Sequence, residues 1–284
     1  MLRVGRAARW ALAGLLAVSG LVSGCAAFDE QQRRWVFQPG QRTWARGASE
    51  ADGMKDVWIE FTSRAEGTPV RLHGLWVPQD DPAAPRLLYL HGARWDVRSS
   101  SGRIRRMHEL GFAVLAIDYR GFGESTADLP SEVRSVEDAR AAWDWLGARQ
   151  PEAKRFIFGH SLGGAIAVQL AADADGLSGL MLEGTFTSVP DVFRTMEWGW
   201  LPVGPFITQR FDSAGRIGEV KAPVLVVHGS EDRLIKPELG RALYDRAPGP
   251  NKRFVLVEGG SHHSTNAVGQ AAYREAVAEL FGLP

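Results

Sequence analysis

The stretch Arg155-Phe156-Ile157-Phe158-Gly159-His160-Ser161-Leu162-Gly163-Gly164-Ala165 decides how the rest of this chain is interpreted. It opens with an apolar run typical of a buried strand and continues into small residues typical of a helix packed closely on a sheet. The pattern Gly-x-Ser-x-Gly lies at the junction of the two. A turn this sharp needs glycines, and it exposes the serine at a helix N-terminus, where backbone amides favour negative charge. Ser161 is therefore a candidate nucleophile.

Apolar strands alternate with helical patterns on both sides of this turn. Such alternation predicts an α/β fold, a mostly parallel eight-stranded sheet with helices on both faces. The first two strands are separated by a turn with Gly67 and Pro69, so they are expected to pair antiparallel. Strands are predicted at 56–61, 70–77, 86–90, 112–117, 155–158, 177–182, 224–227 and 254–257, and helices at 101–110, 133–146, 162–172 and 267–281.

A serine hydroxyl becomes a useful nucleophile only when a base takes its proton and an acid orients that base. Asp232 follows the strand at 224–227, and His262 follows the strand at 254–257. The loops that follow parallel strands meet at one edge of the sheet. Asp232 and His262 are thus the predicted acid and base, with Glu231 and His263 as neighbouring alternatives.

The oxyanion of an acyl-transfer reaction needs backbone donors. The predicted donors are the N–H of Leu162, directly after the serine, and that of Ala93, in the loop after the strand at 86–90. A metal site is not expected, because the His262–His263 pair has no third ligand at suitable spacing. No organic cofactor is required either.

Taken together, these motifs resemble the α/β-hydrolase superfamily, and within it the Bem46-like branch, which includes the α/β-hydrolase domain-containing 17 and 13 types. The resemblance covers roughly 33–284 and rests on the serine turn, the His-Gly loop at 91–92, the loop Asp118-Tyr119-Arg120-Gly121-Phe122-Gly123-Glu124-Ser125, the acid loop and the final Gly-x-His loop. It implies the α/β-hydrolase fold and a serine hydrolase. Family members usually carry Asn where Ala93 stands here. The Asp118 and Arg120 side chains are expected to tie their loop together by charge-assisted hydrogen bonds.

The N-terminus has the features of a targeting segment. Three arginines precede an uncharged apolar stretch, 10–22, which is too short to span a bilayer comfortably. It ends in Leu21-Val22-Ser23-Gly24-Cys25, which resembles a bacterial lipobox and holds the only cysteine of the chain. Residues 1–24 are predicted to be a lipoprotein signal peptide, Cys25 the lipidated residue, 25–34 a linker and 35–284 the hydrolase domain. The resemblance to proteobacterial lipoproteins implies that Ala26, rather than Asp, after the cysteine gives no retention in the inner membrane, so the outer membrane, on its periplasmic side, is expected. A plain secretory signal is the alternative.

Composition excludes several classes of protein. The 284 residues are 45% hydrophobic and 23% charged, which argues against a disordered or polytopic membrane protein. Basic and acidic residues number 33 each, so nothing favours nucleic-acid binding. One cysteine excludes a disulfide framework within the chain.

A lid insertion is predicted at about 185–222, rich in aromatic and aliphatic residues. It either packs on the elements below it or forms an acyl pocket or a membrane-facing patch. The predicted activity is hydrolysis of an ester, thioester or amide, on a small-molecule or lipid acyl substrate. An acyltransferase with the same triad, or a non-catalytic envelope lipoprotein, is the alternative. The sequence does not define the oligomeric state.

Overall fold

The computed structural model describes residues 24–40, 43 and 50–283. The predicted signal peptide therefore lies outside the described residues, apart from Gly24. Cys25 is exposed near the start of a helix, α1, that covers residues 24–37. Within the described ranges, the helices fall short of the length and apolarity needed to cross a membrane.

One eight-stranded sheet forms the centre of the molecule, in the order β1-β2-β4-β3-β5-β6-β7-β8. β1 pairs antiparallel with β2, and β2 antiparallel with β4, whereas all the remaining pairs are parallel. The predicted mixed sheet with an antiparallel first pair is confirmed. The strands are β1 Lys55–Thr62, β2 Pro69–Val77, β3 Arg86–Leu90, β4 Ala113–Ile117, β5 Arg155–His160, β6 Leu177–Glu183, β7 Val224–Gly229 and β8 Lys252–Val257.

Helices cover both faces of the sheet. After α1 they are α2 Ser101–Glu109, α3 Glu132–Arg149, α4 Leu162–Ala172, α5 Val189–Arg194, α6 Ser213–Arg216, α7 Pro237–Arg246, α8 Thr265–Val268 and α9 Gln270–Phe281. Helix α3 begins where the Ser131 hydroxyl accepts the Arg134 N–H at 3.3 Å, a side-chain cap of the kind serine commonly provides.

The strand β3 shows how the sheet separates two cores. Leu88 and Leu90 point to the face covered by α3 and α4, while Leu87 and Tyr89 point to the face covered by α2 and α9. Both sets are fully buried, because side chains of a strand alternate between faces and both faces here are covered. This two-sided burial explains why the central strands are continuous apolar runs in the sequence.

The structure differs from the predicted elements at several places, including two short helices of the lid, α5 and α6, that the sequence does not predict. The stretch 25–34, expected to be a linker, belongs to helix α1 and contacts the lid. Helix α7 was not assigned from the sequence, although Pro237 occupies a position typical of a first helical turn. The last predicted helix is two helices, because Gly269 ends α8 and caps the start of α9. A Cβ at Gly269 would lie 2.7 Å from a methyl group of Val257.

Candidate active site

Ser161 occupies a strained turn between β5 and α4. Its backbone has φ 55° and ψ −123°, outside the regions that side-chain-bearing residues prefer, at a cost of about 1–3 kcal/mol. The surrounding structure holds it there: its N–H donates to the Glu183 carbonyl at 2.9 Å, and its own carbonyl accepts the Gly164 N–H and the Thr185 hydroxyl, each at 2.9 Å. Ser161 precedes α4 as its N-cap residue, and its hydroxyl makes no capping hydrogen bond to that helix.

Gly163 lets the helix start so close to the sheet. A Cβ at this position would lie 2.2 Å from the Leu90 carbonyl oxygen and 2.4 Å from that of His91. Both obstacles are backbone atoms at the end of β3, so they cannot rotate away. The glycine of the Gly-x-Ser-x-Gly pattern is therefore required by packing.

The structure brings Ser161, His262 and Asp232 into one hydrogen-bonded chain. Ser161 Oγ lies 3.0 Å from His262 Nε2, and His262 Nδ1 lies 2.8 Å from Asp232 Oδ2. The three residues follow β5, β7 and β8, whose carboxyl ends meet at one edge of the parallel sheet. With Nδ1–H donated to the carboxylate, Nε2 is free to accept the serine proton.

Asp232 is held ionised by its surroundings. Burial by itself would raise the pKa of this carboxyl group, but hydrogen bonds with the side chains of His228 and His262 outweigh it, so the pKa lies well below its ordinary value. The other oxygen, Oδ1, accepts the backbone N–H groups of Leu234 at 3.0 Å and Ile235 at 2.9 Å. A carboxylate fixed by two amides orients its histidine partner and cannot rotate away from it.

The alternatives for the acid and the base lie outside this chain of hydrogen bonds. Glu231 is exposed, and His263 is exposed with its ring centroid 5.2 Å from that of His262, edge to face. Across residues 24–40 and 50–283, three or more His, Cys, Asp or Glu side chains are nowhere grouped to hold a metal ion.

The loop after β3 passes directly beside the nucleophile. A Cβ built on Gly92 would lie 3.1 Å from the Ser161 Cβ, which places the next residue, Ala93, at the edge of the site. Arg94 and Trp95 then take left-handed backbone conformations, with φ of 63° and 50°. The Arg94 N–H donates to the Phe37 carbonyl at 2.9 Å, so the end of α1 braces this loop. Leu162 is the first residue of α4, where N–H groups have no partner inside the helix.

A charged network that sequence reasoning missed lies behind the histidine. Arg103, on α2, places Nε 2.9 Å from Glu183 Oε1, and its Nη2 donates to the carbonyls of His262 and His263 at 3.2 and 3.1 Å. The Tyr273 hydroxyl also donates to Glu183. Burial lowers the pKa of Arg103, but Glu183 outweighs this and raises it, so the guanidinium remains charged.

His160, next to the serine, completes this network as a neutral side chain. Burial, together with the positive charge of Arg103, lowers its pKa well below the ordinary value. Its Nε2 lies 3.0 Å from the His262 carbonyl and 3.2 Å from Arg103 Nη2. The base-bearing loop is therefore attached to the serine turn by side chains as well as through the sheet. An acidic residue ending the apolar run of β6 was the one visible signal of this network.

The charged loop residues Asp118 and Arg120 bind separate partners. Asp118 accepts the Val97 N–H at 2.7 Å, whereas Arg120 pairs with Asp138, with Nε 2.8 Å from Oδ1. Both side chains are buried. They tie their loop to the elements around it.

The predicted lid insertion is buried in one part and exposed in another. Its flanks are buried: Phe186 and Phe211 are covered, and the ring of Phe211 packs edge-on against Phe37 at 5.7 Å. Its middle is exposed, with Trp198 and Trp200 among the most accessible large side chains.

Comparison with known proteins agrees with the fold. The family model described as serine aminopeptidase, S33, matches residues 81–215 and 207–267. An uncharacterised protein of Mycobacterium tuberculosis (strain CDC 1551 / Oshkosh), MT2364, is 33% identical over 254 residues, covering 88% of this chain and 87% of that protein. Alpha/beta hydrolase domain-containing protein 17B of Xenopus tropicalis is 29% identical over 251 residues, covering 85% and 81%. The latter is one of the types that the motifs resemble.

Among solved structures, the Pyrococcus furiosus esterase Pf2001 superposes with a TM-score of 0.66 at 21% identity, covering 86% of this chain and 99% of that one. At this identity the likeness concerns the fold. The matched family model, which spans more than half of the chain, identifies this protein as a member of the serine aminopeptidase, S33, family, and the chain is therefore a serine hydrolase with the α/β-hydrolase fold.

Proposed function

We propose that this protein hydrolyses carboxylic esters or thioesters through an acyl-enzyme on Ser161. The observation that carries the proposal is the unbroken hydrogen-bonded chain from the Ser161 hydroxyl through His262 to the ionised Asp232. His262 Nε2 takes the serine proton while Oγ attacks the carbonyl carbon, and Asp232 stabilises the imidazolium that results.

The tetrahedral intermediate carries its negative charge on the former carbonyl oxygen. In the proposed mechanism, the N–H groups of Leu162 and Ala93 stabilise that oxygen, helped by the N-terminal end of α4. His262 then gives its proton to the leaving alcohol or thiol, and the bond to the leaving group breaks. Water, deprotonated by the same histidine, attacks the carbonyl carbon of the acyl-enzyme; the bond to Ser161 Oγ then breaks, His262 returns the proton to Oγ, and the carboxylic acid is released.

The same proposal includes attachment to a membrane through Cys25. Its support is the lipobox-like sequence 21–25, with Cys25 as the only cysteine, and the exposure of that residue in the structure. The acyl chains would hold the mature protein at a bacterial membrane. Because Ala26 does not favour retention in the inner membrane, the proposed location is the periplasmic side of the outer membrane. The mass of the mature N-terminal peptide tests this directly: a diacylglyceryl or triacyl adduct on Cys25 is expected, and an unmodified Cys25 or a cut elsewhere contradicts it.

Labelling with a fluorophosphonate, together with turnover of p-nitrophenyl esters of two to sixteen carbons, tests the chemistry. Labelling and turnover are expected in the native chain and in Ser178→Ala, a serine at the opposite end of the sheet, and both should vanish in Ser161→Ala. Acyl thioesters and anilides of one chain length then rank the bond types. A folded native chain that is not labelled, or a labelled Ser161→Ala, refutes the assignment.

A further inference from the structure

Helix α1 lies against the lid and the loop before α3, in one defined orientation. The Gln32 amide donates to the Phe206 carbonyl at 2.9 Å and accepts the Thr208 N–H at 3.0 Å. On its neighbouring side, Arg33 Nε donates to the Pro130 carbonyl at 2.8 Å. Because these contacts hold two adjacent sides of α1, the directions of its other side chains are fixed relative to the lid.

Two exposed aromatic residues of α1 border the lid. Phe28 and Trp35 are seven residues apart, so they lie on the same side of the helix. Both are within roughly 60° of Gln32 around the helix axis and at least about 140° from Arg33. They therefore lie along the edge of α1 that faces the lid segment at 206–208, away from the loop that carries Pro130.

The lid contributes three more exposed aromatic residues, Trp198, Trp200 and Phe206, and the carbonyl of Phe206 is the one that Gln32 contacts. We call the five residues Phe28, Trp35, Trp198, Trp200 and Phe206 the aromatic face. Each is 51–73% exposed, whereas aromatic side chains of this size are usually mostly buried. With Met196, they make up six of the eleven large apolar side chains that are exposed in the described ranges. Exposed apolar side chains that are concentrated on two contacting segments are typical of an interaction site, whereas single scattered ones are ordinary surface.

We propose that the aromatic face docks on the surface of a lipid bilayer. Tryptophan is enriched at membrane–water interfaces because its ring is apolar and its N–H is polar, and the face contains three tryptophans. The face also begins three residues from Cys25, which is exposed on the same helix, in a chain whose preceding segment has the features of an export signal. A bilayer in contact with the start of α1 thus meets the aromatic face next.

Docking through the aromatic face would also bring the loop after β3 and the catalytic edge of the sheet close to the membrane. The carboxyl end of α1 holds the loop after β3, through the Arg94 N–H on the Phe37 carbonyl and Arg94 Nε on Gln38 Oε1 at 2.6 Å. That loop carries Ala93, the proposed oxyanion donor, and the exposed Trp95. The helix therefore joins the bilayer-docking surface to the catalytic edge without an intervening flexible segment.

Vesicle flotation of the mature chain, residues 25–284 with Cys25→Ser, tests docking without any acyl chain. This chain keeps every residue of both core clusters, and its binding does not depend on the proposed lipid attachment. The probes are vesicles of phosphatidylethanolamine and phosphatidylglycerol. We expect the protein to float with the vesicles, and Trp198→Ser/Trp200→Ser to lower its partition coefficient by at least about tenfold, since two large apolar side chains no longer leave water.

The pair Phe28→Ser/Trp35→Ser should lower binding similarly, because it removes the half of the face that α1 contributes. The matched control is Leu256→Ser/Val268→Ser, which removes two exposed apolar residues outside α1 and the lid and should leave binding unchanged. Fluorophosphonate labelling and far-ultraviolet circular dichroism of each variant report that the fold is intact.

Absence of binding by the mature chain, or equal loss in the control pair, overturns the proposal. So does a dimer in solution, seen by light scattering, that Trp198→Ser/Trp200→Ser dissociates, because the face would then cover a second copy of this chain. Failure of the lipid attachment is recognised separately, by the mass of the mature N-terminus, and failure of the hydrolase by the Ser161→Ala comparison.

Discussion

Replacing Arg103 is expected to affect both stability and catalysis, in ways that two substitutions separate. Only 12% of its side chain is exposed, and its partner Glu183 is fully buried. Arg103→Met leaves the Glu183 carboxylate buried without its cation, a change that costs about 3–5 kcal/mol of unfolding free energy in comparable buried pairs. Urea unfolding at neutral pH measures this loss.

Arg103→Lys keeps a positive charge near Glu183 but lacks the second nitrogen that reaches the loop carbonyls. Hydrogen bonds from a charged donor contribute about 1.5–3 kcal/mol each, and here two of them hold the carbonyls of His262 and His263. We expect kcat for a short p-nitrophenyl ester to fall by about tenfold to a hundredfold while KM changes little, because the base is misplaced and the binding surface is not.

The control for both variants is Arg105→Lys on the same helix, whose side chain contacts backbone carbonyls of Glu50 and Asp52 far from the site. A second comparison, Arg103→Met/Glu183→Gln, should recover stability relative to Arg103→Met, because no buried charge is left unpaired. The reasoning is refuted if Arg103→Met unfolds within about 1 kcal/mol of the native chain, or if Arg103→Lys keeps the native kcat.

Three other substitutions have defined outcomes. Asp232→Asn should lower kcat by about three to four orders of magnitude with the fold intact, measured with the same esters, because the amide favours the wrong tautomer of the base. His73 is buried, which lowers its pKa, yet hydrogen bonds to Asp118 and Asp56 outweigh burial and raise it above 6.5. The protonated His73 therefore stabilises the folded state fully below pH 6.5, and this contribution is lost as the pH rises through the folded-state pKa of His73. The difference in unfolding free energy between the native chain and His73→Gln should shrink over that rise, and a constant difference would contradict it. Gly163→Ala should lower the unfolding free energy by about 2–3 kcal/mol in urea, whereas Gly218→Ala, where a Cβ meets nothing within 4 Å, should change it little.

The fold could be predicted because its signals are local. The central strands are buried on both faces, so they are unbroken apolar runs, and the helices between them follow the spacing that one buried side requires. The positions of Ser161, Asp232 and His262 at one edge follow from parallel topology, since each residue comes directly after a strand. Loop position and resemblance favour Asp232 over Glu231 and His262 over His263, and in the structure Asp232 and His262 lie within hydrogen-bonding distance of each other.

What the sequence did not reveal depends on contacts between distant segments. Arg103 and Glu183 are 80 residues apart, and nothing near Arg103 distinguishes it from the other arginines of α2. Residues 25–34 are rich in polar and charged side chains, which favours a linker when the segment is considered alone. They form a helix in the structure because Asp29, Gln32 and Arg33 find partners on the lid and on the loop before α3, more than 90 residues away.

The hydrogen bond between Phe37 and Arg94 fixes the distance between Cys25 and the catalytic edge of the sheet. Twelve residues of continuous helix separate Cys25 from Phe37, a rise of about 18 Å. In a chain attached to a bilayer at Cys25, the loop that Phe37 braces would therefore lie at a fixed distance from the attachment point, because a helix does not extend as a flexible linker does. The rate at which such a membrane-attached enzyme meets an acyl substrate in the same bilayer would depend on diffusion in two dimensions and on the surface density of that substrate. Attachment would not raise the effective concentration of a substrate dissolved in bulk solution.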